Sequence, residues 1–474
     1  YYLARLLFQR GLGFIYLLAF IAALHQFVPL LGEDGILPVP DFVDRVEFSD
    51  SPSIFHWHYS DQFFKLLASV GLVLSVLATV GVSEMSSVWV SMIVWGLLWL
   101  IYLSIVNVGQ TFFSFGWESM LLEAGFLAIF LGSFGAAVPV LVVFLIRWML
   151  FRVEFGAGLI KLRGDECWRK LTCMDHHHET QPIPNRLSWY FHNLPQWFHK
   201  LEVAGNFFAQ LIVPFGLFLP QPIAGISALI IILTQSYLML SGNYSWLNLL
   251  TIVLAFSGFS NSQLQWVIPA SVPQTLASPI AFETLVYAVA AAFVYMSIGP
   301  IKNMLSKNQK MNYSFNPLHL CNTYGAFGSV TKTRYEVVLE GTTDEKITED
   351  TDWKEYKFWG KPTDTDRAPS QIAPYHLRLD WQMWFLPFRA QVTSRGVYLP
   401  YGHPRWFVSF IKKLLEGDEK MNRLLEENPF EDKPNYLRAR YYKYEFTSPE
   451  DDTDDWWSRE AVGDFLGPVS LGDL

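Results

Sequence analysis

Residues 151–200 read FRVEFGAGLIKLRGDECWRKLTCMDHHHETQPIPNRLSWYFHNLPQWFHK, a polar stretch between long apolar runs. It continues from one apolar run, carries charged residues, two cysteines and a His-His-His-Glu run, and ends in proline and aromatic residues. The apolar runs on either side decide the fold class, because about 20 consecutive apolar residues are enough for a helix to cross a bilayer. We interpret the stretch as a structured loop that ties two groups of membrane-spanning helices together.

Composition divides the chain into two parts. The chain of 474 residues is 51% hydrophobic and only 17% charged, whereas about a quarter of the residues are charged in an ordinary soluble domain. The apolar runs recur through residues 1–300, and residues 301–474 have an ordinary polar composition. We predict a polytopic α-helical membrane domain at 1–300, with a polar connecting loop at 161–198, and a C-terminal soluble domain at 301–474.

The membrane domain is predicted to have about seven to nine spans. Arg5 and Arg10 precede the first predicted span, residues 11–31, and favour a cytoplasmic N-terminus. Nine spans, the highest count, place the C-terminal domain on the side opposite the N-terminus. The basic central loop then lies on the non-cytoplasmic side, against the positive-inside tendency, and each error of one in the count reverses the orientation.

The C-terminal part is predicted to be a β-rich domain with one or two helices, docked on the membrane. Strand-forming residues occur at 333–340, 353–362 and 436–448, and the stretch 374–388 alternates in part between apolar and polar residues. A helix is predicted in WFVSFIKKLLEG at 406–417. The acidic closing segment at 447–474 receives no predicted element.

Charge and cysteine content restrict the partners and the compartment. The net charge of −9 and the absence of a basic patch argue against nucleic acid as a partner. Cys167 and Cys173 either form a disulfide, in an oxidising compartment, or remain two free thiols, and the sequence leaves both possibilities open. Asn243 and Asn312 each begin an Asn-Tyr-Ser sequon and are candidate glycosylation sites.

Ionisable residues within or beside the apolar runs are the candidate site residues. A charged group at membrane depth is costly unless it is paired, so Glu118 or Glu123 is the expected partner of Arg152 or Lys161. The predicted intramembrane polar cluster consists of Glu118, Glu123, Arg152, Lys161, His177 and Glu179.

The histidine run is the one metal-like pattern. Adjacent histidines cannot converge on one ion, and in an extended segment only alternate side chains share a side. His176 and His178 are therefore the candidate ligands, with a distant third, but a structural loop is the favoured interpretation. Asp380 follows an alternating stretch, which predicts an ion pair on a sheet surface rather than a catalytic group. We predict no catalytic residue, metal or cofactor.

Five blocks of sequence carry a family resemblance: GWESMLLEAGFLA (116–128), FGAGLIKLRGDECWRKLTC (155–173), HHETQPIPNRLSWYFHNLP (177–195), NPLHLCNTYGAFGSVTKTRYEVVLEGT (316–342) and APYHLRLDWQMWF (373–385). Together they resemble the lipase maturation factor family over nearly the whole chain. The resemblance implies a non-catalytic, chaperone-like protein of the endoplasmic reticulum membrane that assists folding and dimer assembly of secreted lipases. It also implies that the C-terminal domain contacts the lipase.

Two alternatives follow from the same residues. The membrane part is also distantly similar to the horizontally transferred transmembrane (HTTM) domain of vitamin K-dependent carboxylases, which suggests a membrane-embedded enzyme. That alternative predicts a polar cavity at membrane depth joining Glu118, Lys161, His177 and Glu179. The other alternative is a structural accessory subunit of a large membrane assembly, such as a respiratory complex of the mitochondrial inner membrane. The expected partners are membrane lipids and either a dimeric lipase client or neighbouring subunits.

Overall fold

The computed structural model describes residues 1–273, 277–394 and 396–474. Its first part is helical. The longer helices are α1 (Tyr2–Leu31), α2 (Asp61–Val80), α3 (Val88–Val108), α4 (Gly116–Ile129), α5 (Val140–Arg163), α6 (Met174–Thr180), α7 (Arg186–His192), α8 (Gln196–Phe207), α9 (Ile223–Ser241), α10 (Leu247–Ala255), α11 (Ile280–Met296) and α12 (Ile298–Leu305). Shorter helices occupy Val39–Val43, Glu166–Arg169, Val213–Gly216 and Asn261–Leu264, and a π-helical segment, Phe208–Ile212, follows α8.

Five of these helical segments are long and apolar enough to cross a membrane, which confirms a polytopic α-helical membrane domain. They are α1, α2, α3, α9 and the continuous segment formed by α11 and α12. Helix α1 begins earlier than the predicted span because its polar residues bond inside the helical bundle. Arg5 Nη1 donates to Ala136 O at 3.0 Å, and Gln9 Nε2 donates to Gly132 O at 3.0 Å.

The connections between the helices lie at two ends of the bundle. At the first end, Leu3 N donates to Asn261 Oδ1 at 3.1 Å, and Phe134 N donates to Glu84 O at 2.8 Å. Residues near the N-terminus therefore share this end with the connections that follow α2, α4 and α10.

The opposite end holds the central loop and the connection to the C-terminal part. Asn107 Nδ2 donates to Pro52 O at 2.8 Å and to Pro317 O at 3.1 Å. Asp165 N donates to Gly328 O at 2.8 Å. Within the described residues, nine segments run between the two ends: α1, α2, α3, α4, α5, residues 196–216, α9, residues 247–258 and residues 280–305. An odd number of crossings leaves the C-terminal part at the end opposite the N-terminus.

The C-terminal part combines β-sheet with a few helices, as predicted. Strands β1 (Arg334–Thr342), β2 (Lys354–Glu355), β5 (Tyr436–Phe446) and β6 (Trp457–Val469) form an antiparallel sheet in the order β2-β1-β5-β6. Strands β3 (Gln391–Thr393) and β4 (Gly396–Tyr398) form a separate hairpin. The helices are α13 (Arg378–Phe385) and α14 (Arg405–Glu416).

Two local predictions were wrong, and one strand was not predicted. Residues 378–385 form α13 rather than a strand, because Arg378 and Asp380 both find buried partners in a helical conformation. Of residues 353–362, only Lys354–Glu355 pair as a strand. The acidic segment contains β6, which lies at the edge of the sheet and exposes most of its residues. An edge strand with polar residues on both faces lacks the alternation that predicts a strand.

One continuous apolar core joins the two parts of the chain. Phe112, at the end of the bundle that holds the central loop, packs edge-on against Trp406 of α14, with ring centroids 6.0 Å apart. Phe115 packs in the same way against Trp381 of α13, at 5.7 Å. The C-terminal part is therefore seated on the bundle, and the candidate functional groups lie at and near this junction.

Candidate functional site

The centre of the junction is a fully buried ion pair between Glu118 and Arg378. Arg378 Nη1 donates to Glu118 Oε1 at 2.7 Å and to Phe112 O at 2.9 Å. Its guanidinium also lies 3.4 Å from the centroid of the Phe113 ring. The Tyr102 hydroxyl donates to the second oxygen of Glu118. Sequence analysis identified Glu118, but its partner lies 260 residues further along the chain.

A second buried pair fastens the segment that links the two parts. Arg152 of α5 pairs with Glu123 of α4 and donates to Asn322 O at 2.7 Å. The Glu123 carboxylate also accepts bonds from Asn322 N at 3.0 Å and from the Tyr324 hydroxyl at 2.8 Å. Residues 316–329, which we call the linking segment, thus lie against the bundle. Gly156 permits this close approach, because a Cβ at that position would clash with Tyr324 O.

Side-chain amides hold two more segments of the C-terminal part. Gln26 of α1 accepts from Arg378 N at 2.8 Å and donates to His376 O at 2.7 Å. Asn243 Oδ1 accepts from Ile372 N and from Ala373 N, both at 2.8 Å. A buried polar group is tolerated when it is hydrogen-bonded. These amide side chains and the two ion pairs together fix the position of the C-terminal part on the bundle.

The central loop packs between the bundle and the sheet. Cys167 and Cys173 form a disulfide, which settles the possibility that the sequence left open. Arg334 at the start of β1 donates to Glu179 O at 2.9 Å and to Gln181 O at 2.5 Å. The Glu179 carboxylate accepts from Phe446 N at 2.7 Å. Loop and sheet are therefore joined through backbone as well as side-chain groups.

Burial raises the pKa of the Glu179 carboxyl to about 7, although the bond from Phe446 N acts in the opposite direction. The same cause lowers the pKa of His192, whose Nε2 lies 3.7 Å from Glu179 Oε2, to about 4. Near neutral pH this part of the loop therefore changes charge through Glu179.

The histidine run is part of a short helix rather than an extended segment. His178 Nε2 lies 3.0 Å from Glu202 Oε1, and these two residues form a group with His199 in which the possible ligand atoms are within 4.8 Å of one another. His199 also contacts Asp175 and a backbone carbonyl, each at 3.0 Å. His176 lies outside that group. Sequence analysis did not identify His199 and Glu202 as candidate ligands. The pattern that could have indicated them is their spacing of three residues on one helix, which puts both side chains on one face.

A cavity of about 740 Å³ lies in the bundle beneath the linking segment and the central loop. Lys161 and His177 line it, whereas Glu118 and Glu179 do not. Lys161 Nζ donates to Gln210 Oε1 at 3.0 Å and to Asn206 Oδ1 at 3.3 Å. His177 Nε2 lies 3.0 Å from the Tyr244 hydroxyl. The six residues proposed as one polar cluster thus occupy several separate environments.

Exposed apolar side chains, most of them aromatic, recur in residues 385–394 and 396–401 of the C-terminal part. We define the aromatic surface as Phe385, Phe388, Val392, Tyr398 and Tyr401. It wraps around the β3–β4 hairpin, because Val392 pairs with Val397 and Tyr398 with Gln391, which puts Val392 and Tyr398 on opposite faces. Tyr398 is 57% exposed and Tyr401 86%. Next to this surface, the Trp384 indole donates to the backbone oxygen of Thr180 in the central loop at 3.2 Å. Large exposed apolar patches on soluble surfaces commonly mark interaction sites.

The two sequons differ in accessibility. Asn243 is 2% exposed, and its amide is fully engaged with residues 370–373. Asn312 is exposed and lies just before the linking segment, at the end of the bundle that holds the C-terminal part. A glycan is bulky and needs a surface position, so Asn312 is the accessible sequon of the folded protein.

Comparisons with known proteins match both parts of the chain. Residues 3–266 match the family model of the lipase maturation factor transmembrane domain, and residues 320–467 match that of the lipase maturation factor C-terminal domain. Lipase maturation factor 1 of Bos taurus is 38% identical over 522 residues, covering 100% of this chain and 90% of the relative. The Homo sapiens protein of that name is 37% identical, covering 100% and 89%. Lipase maturation factor 2 of Rattus norvegicus is 29% identical, covering 98% and 83%. No solved structure matches the chain.

Replacing Asn312 tests which end of the bundle faces a glycosylating lumen. If that end is lumenal, endoglycosidase treatment will shift the wild-type band on a gel. The shift will disappear in Asn312→Gln and persist in Asn243→Gln, because only Asn312 is exposed in the folded chain. A wild-type shift that survives Asn312→Gln but not Asn243→Gln would contradict this assignment.

The raised pKa of Glu179 predicts a pH-dependent stability. The folded protein holds this proton more tightly than the unfolded chain, whose glutamate pKa is about 4.3, so stability falls as the pH rises from about 4 to 7. Glu179→Gln removes the titration and keeps an oxygen that accepts from Phe446 N. We expect its melting temperature in mild detergent to exceed that of the wild type at pH 8, with little difference at pH 5.

The exposed Glu431 supplies the matched control for this measurement, because it lies before β5, at the opposite end of that strand from Phe446. Glu431→Gln removes the same charge far from Glu179 and should keep the pH dependence of the wild type. An unchanged pH dependence in Glu179→Gln would show that this carboxyl does not titrate as inferred.

Proposed function

The chain belongs to the lipase maturation factor family, and from that premise we propose that it is a membrane-bound chaperone that assists folding and assembly of a secreted lipase. The observation that carries the proposal is similarity to proteins named lipase maturation factors through both the helical and the C-terminal parts. The proposal takes the client class from the names of those relatives.

The aromatic surface is the proposed contact for the client. A lipase subunit that has not yet dimerised exposes apolar area that it later buries, and aromatic side chains are enriched where proteins bind one another. Phe388 and Tyr398 present such side chains beside the junction. The buried Glu118–Arg378 pair and the bond from Trp384 to the central loop support this surface on a fixed frame. A fixed frame lowers the entropic cost of holding a client.

The proposed compartment is the endoplasmic reticulum, with the C-terminal part in its lumen. The Cys167–Cys173 disulfide lies at the same end of the bundle as that part, and disulfides persist in oxidising compartments. A secreted client folds in the same lumen, so the aromatic surface and the client would meet there.

We propose that the role is non-enzymatic. Glu118, Glu123 and Arg152 are each engaged in buried pairs that hold the fold together. The four residues of the enzymatic alternative do not meet in one cavity, since only Lys161 and His177 line the one described above. Neither the enzyme nor the accessory subunit of a respiratory complex is favoured by an observation on the described residues.

The test is complementation of cells that lack their own lipase maturation factors and secrete a dimeric lipase. We expect wild type to restore secreted lipase activity. The triple variant Phe388→Ser, Val392→Ser, Tyr398→Ser should lose about tenfold of that activity, because a few contact residues usually carry most of the binding energy of an interface and a loss of about 1.4 kcal/mol corresponds to a factor of ten. The amount of the variant in the membrane, measured by immunoblot, should equal that of wild type, since these side chains are exposed.

The control variant carries Ile347→Ser and Leu471→Ser, two exposed apolar residues of the C-terminal part outside the aromatic surface. It should restore activity like wild type. The proposal fails if the triple variant supports lipase secretion as well as this control does. It also fails if wild type restores none.

A further inference from the structure

The cavity in the helical bundle combines a buried cation with apolar walls. Lys161 is buried, and its two hydrogen-bond acceptors, Asn206 Oδ1 and Gln210 Oε1, are neutral amide oxygens. Within the described residues Lys161 makes no ion pair. Its ammonium also lies 5.1 Å from the centroid of the Trp168 ring. A buried ammonium without a carboxylate partner is costly, so the site favours an anion next to Lys161.

The carboxylates that line the cavity are already engaged. Glu154, two helical turns before Lys161 on α5, accepts from Gln235 Nε2 at 2.7 Å, and Gln235 in turn accepts from Asn248 at 2.7 Å. Glu202 Oε1 contacts His178 and the Tyr237 hydroxyl. Neither carboxylate therefore serves as the direct counter-ion of Lys161.

The remaining walls suit a hydrocarbon chain. Trp117, Met120, Val153 and Ala157 line the cavity on the bundle side, and Trp381 and Phe385 line it beneath the C-terminal part. Its volume of about 740 Å³ is within the range of small-molecule sites, roughly 300–1,000 Å³.

The cavity opens on the apolar outer surface of the bundle. Leu201 of α8 and Leu233 of α9 both line the cavity and are 58% and 61% exposed. Gly205, one helical turn beyond Leu201, also lines it, and a Cβ there would meet open space. Both helices belong to the segments that cross between the two ends, so the opening faces the acyl chains of a bilayer.

We propose that this cavity binds a single-chain lipid with an anionic head, which enters from the bilayer between α8 and α9 and places its head on Lys161. Lys161 lies near the end of α5, at the level where a lipid head would lie, and Val153 and Ala157 precede it towards the membrane interior. The inference is independent of the lipase client.

The experiment uses the full chain in lipid nanodiscs and a matched pair of photoreactive C16 probes, one a fatty acid and the other a fatty alcohol. We expect the acid to label residues lining the cavity, in competition with oleate or lysophosphatidate but not with inorganic phosphate. The alcohol should label about tenfold less, because a charge-assisted hydrogen bond is worth about one factor of ten or more.

Two pairs of variants test separately the contact of Lys161 with the lipid head and the access of the lipid through the opening. Lys161→Met keeps the aliphatic stem and should lower acid labelling to the level of the alcohol, while Lys161→Arg should keep the preference. Gly205→Leu should narrow the opening and lower labelling by both probes, whereas Gly96→Leu, at a helical glycine that also faces open space, should not. Equal labelling by acid and alcohol in wild type, labelling outside the cavity, or an unchanged preference in Lys161→Met would overturn the proposal.

Discussion

A charge buried in an apolar environment must be paired or hydrogen-bonded, and the Glu118–Arg378 pair shows how this constraint organises the molecule. Both side chains are fully buried, one on a helix of the bundle and the other on a helix of the C-terminal part. Either residue alone would be a strongly unfavourable group in its own half. The sequence of each half therefore requires the other half, and the two parts fold as one body with a continuous core.

The other features follow from that docking. The Glu123–Arg152 pair holds the linking segment against the bundle, and the linking segment covers the cavity. The central loop lies between bundle and sheet, where Glu179 and Arg334 join it to β5 and β1. The aromatic surface then has a fixed position relative to the helical bundle. Such a surface would suit a chaperone that acts on a secreted client, because the surface is already ordered before the client binds.

Some of this arrangement could be predicted from the sequence, because some signals are local. Long apolar runs predicted the helical bundle, and the strand-forming residues predicted β1 and β5. The family resemblance rested on long blocks of sequence and is confirmed by matches to both parts of the chain. The requirement that a buried charge be paired indicated Glu123 as one possible partner of Arg152.

Other features depend on contacts between distant residues. Nothing near Glu118 in the sequence points to Arg378. The alternation around Asp380 suggested a strand, because the partner of its carboxylate, Gly360 N at 2.7 Å, lies 20 residues away in the sequence. The edge strand β6 has no continuous apolar face, so its sequence lacks the alternation of apolar and polar residues that predicts a strand. The cavity is formed by residues from several helices and the C-terminal part, so no single stretch of sequence carries its signature.

The most direct measurement of the central claim is a double-mutant cycle on Glu118→Gln and Arg378→Met, followed by unfolding in mild detergent. Each single variant should lose about 3 kcal/mol or more of stability, because it leaves one buried charge unpaired. The double variant should lose clearly less than the sum of the two, since neither charge remains. Two losses that simply add, or single variants as stable as the wild type, would contradict the claim that this pair unites the two parts of the chain.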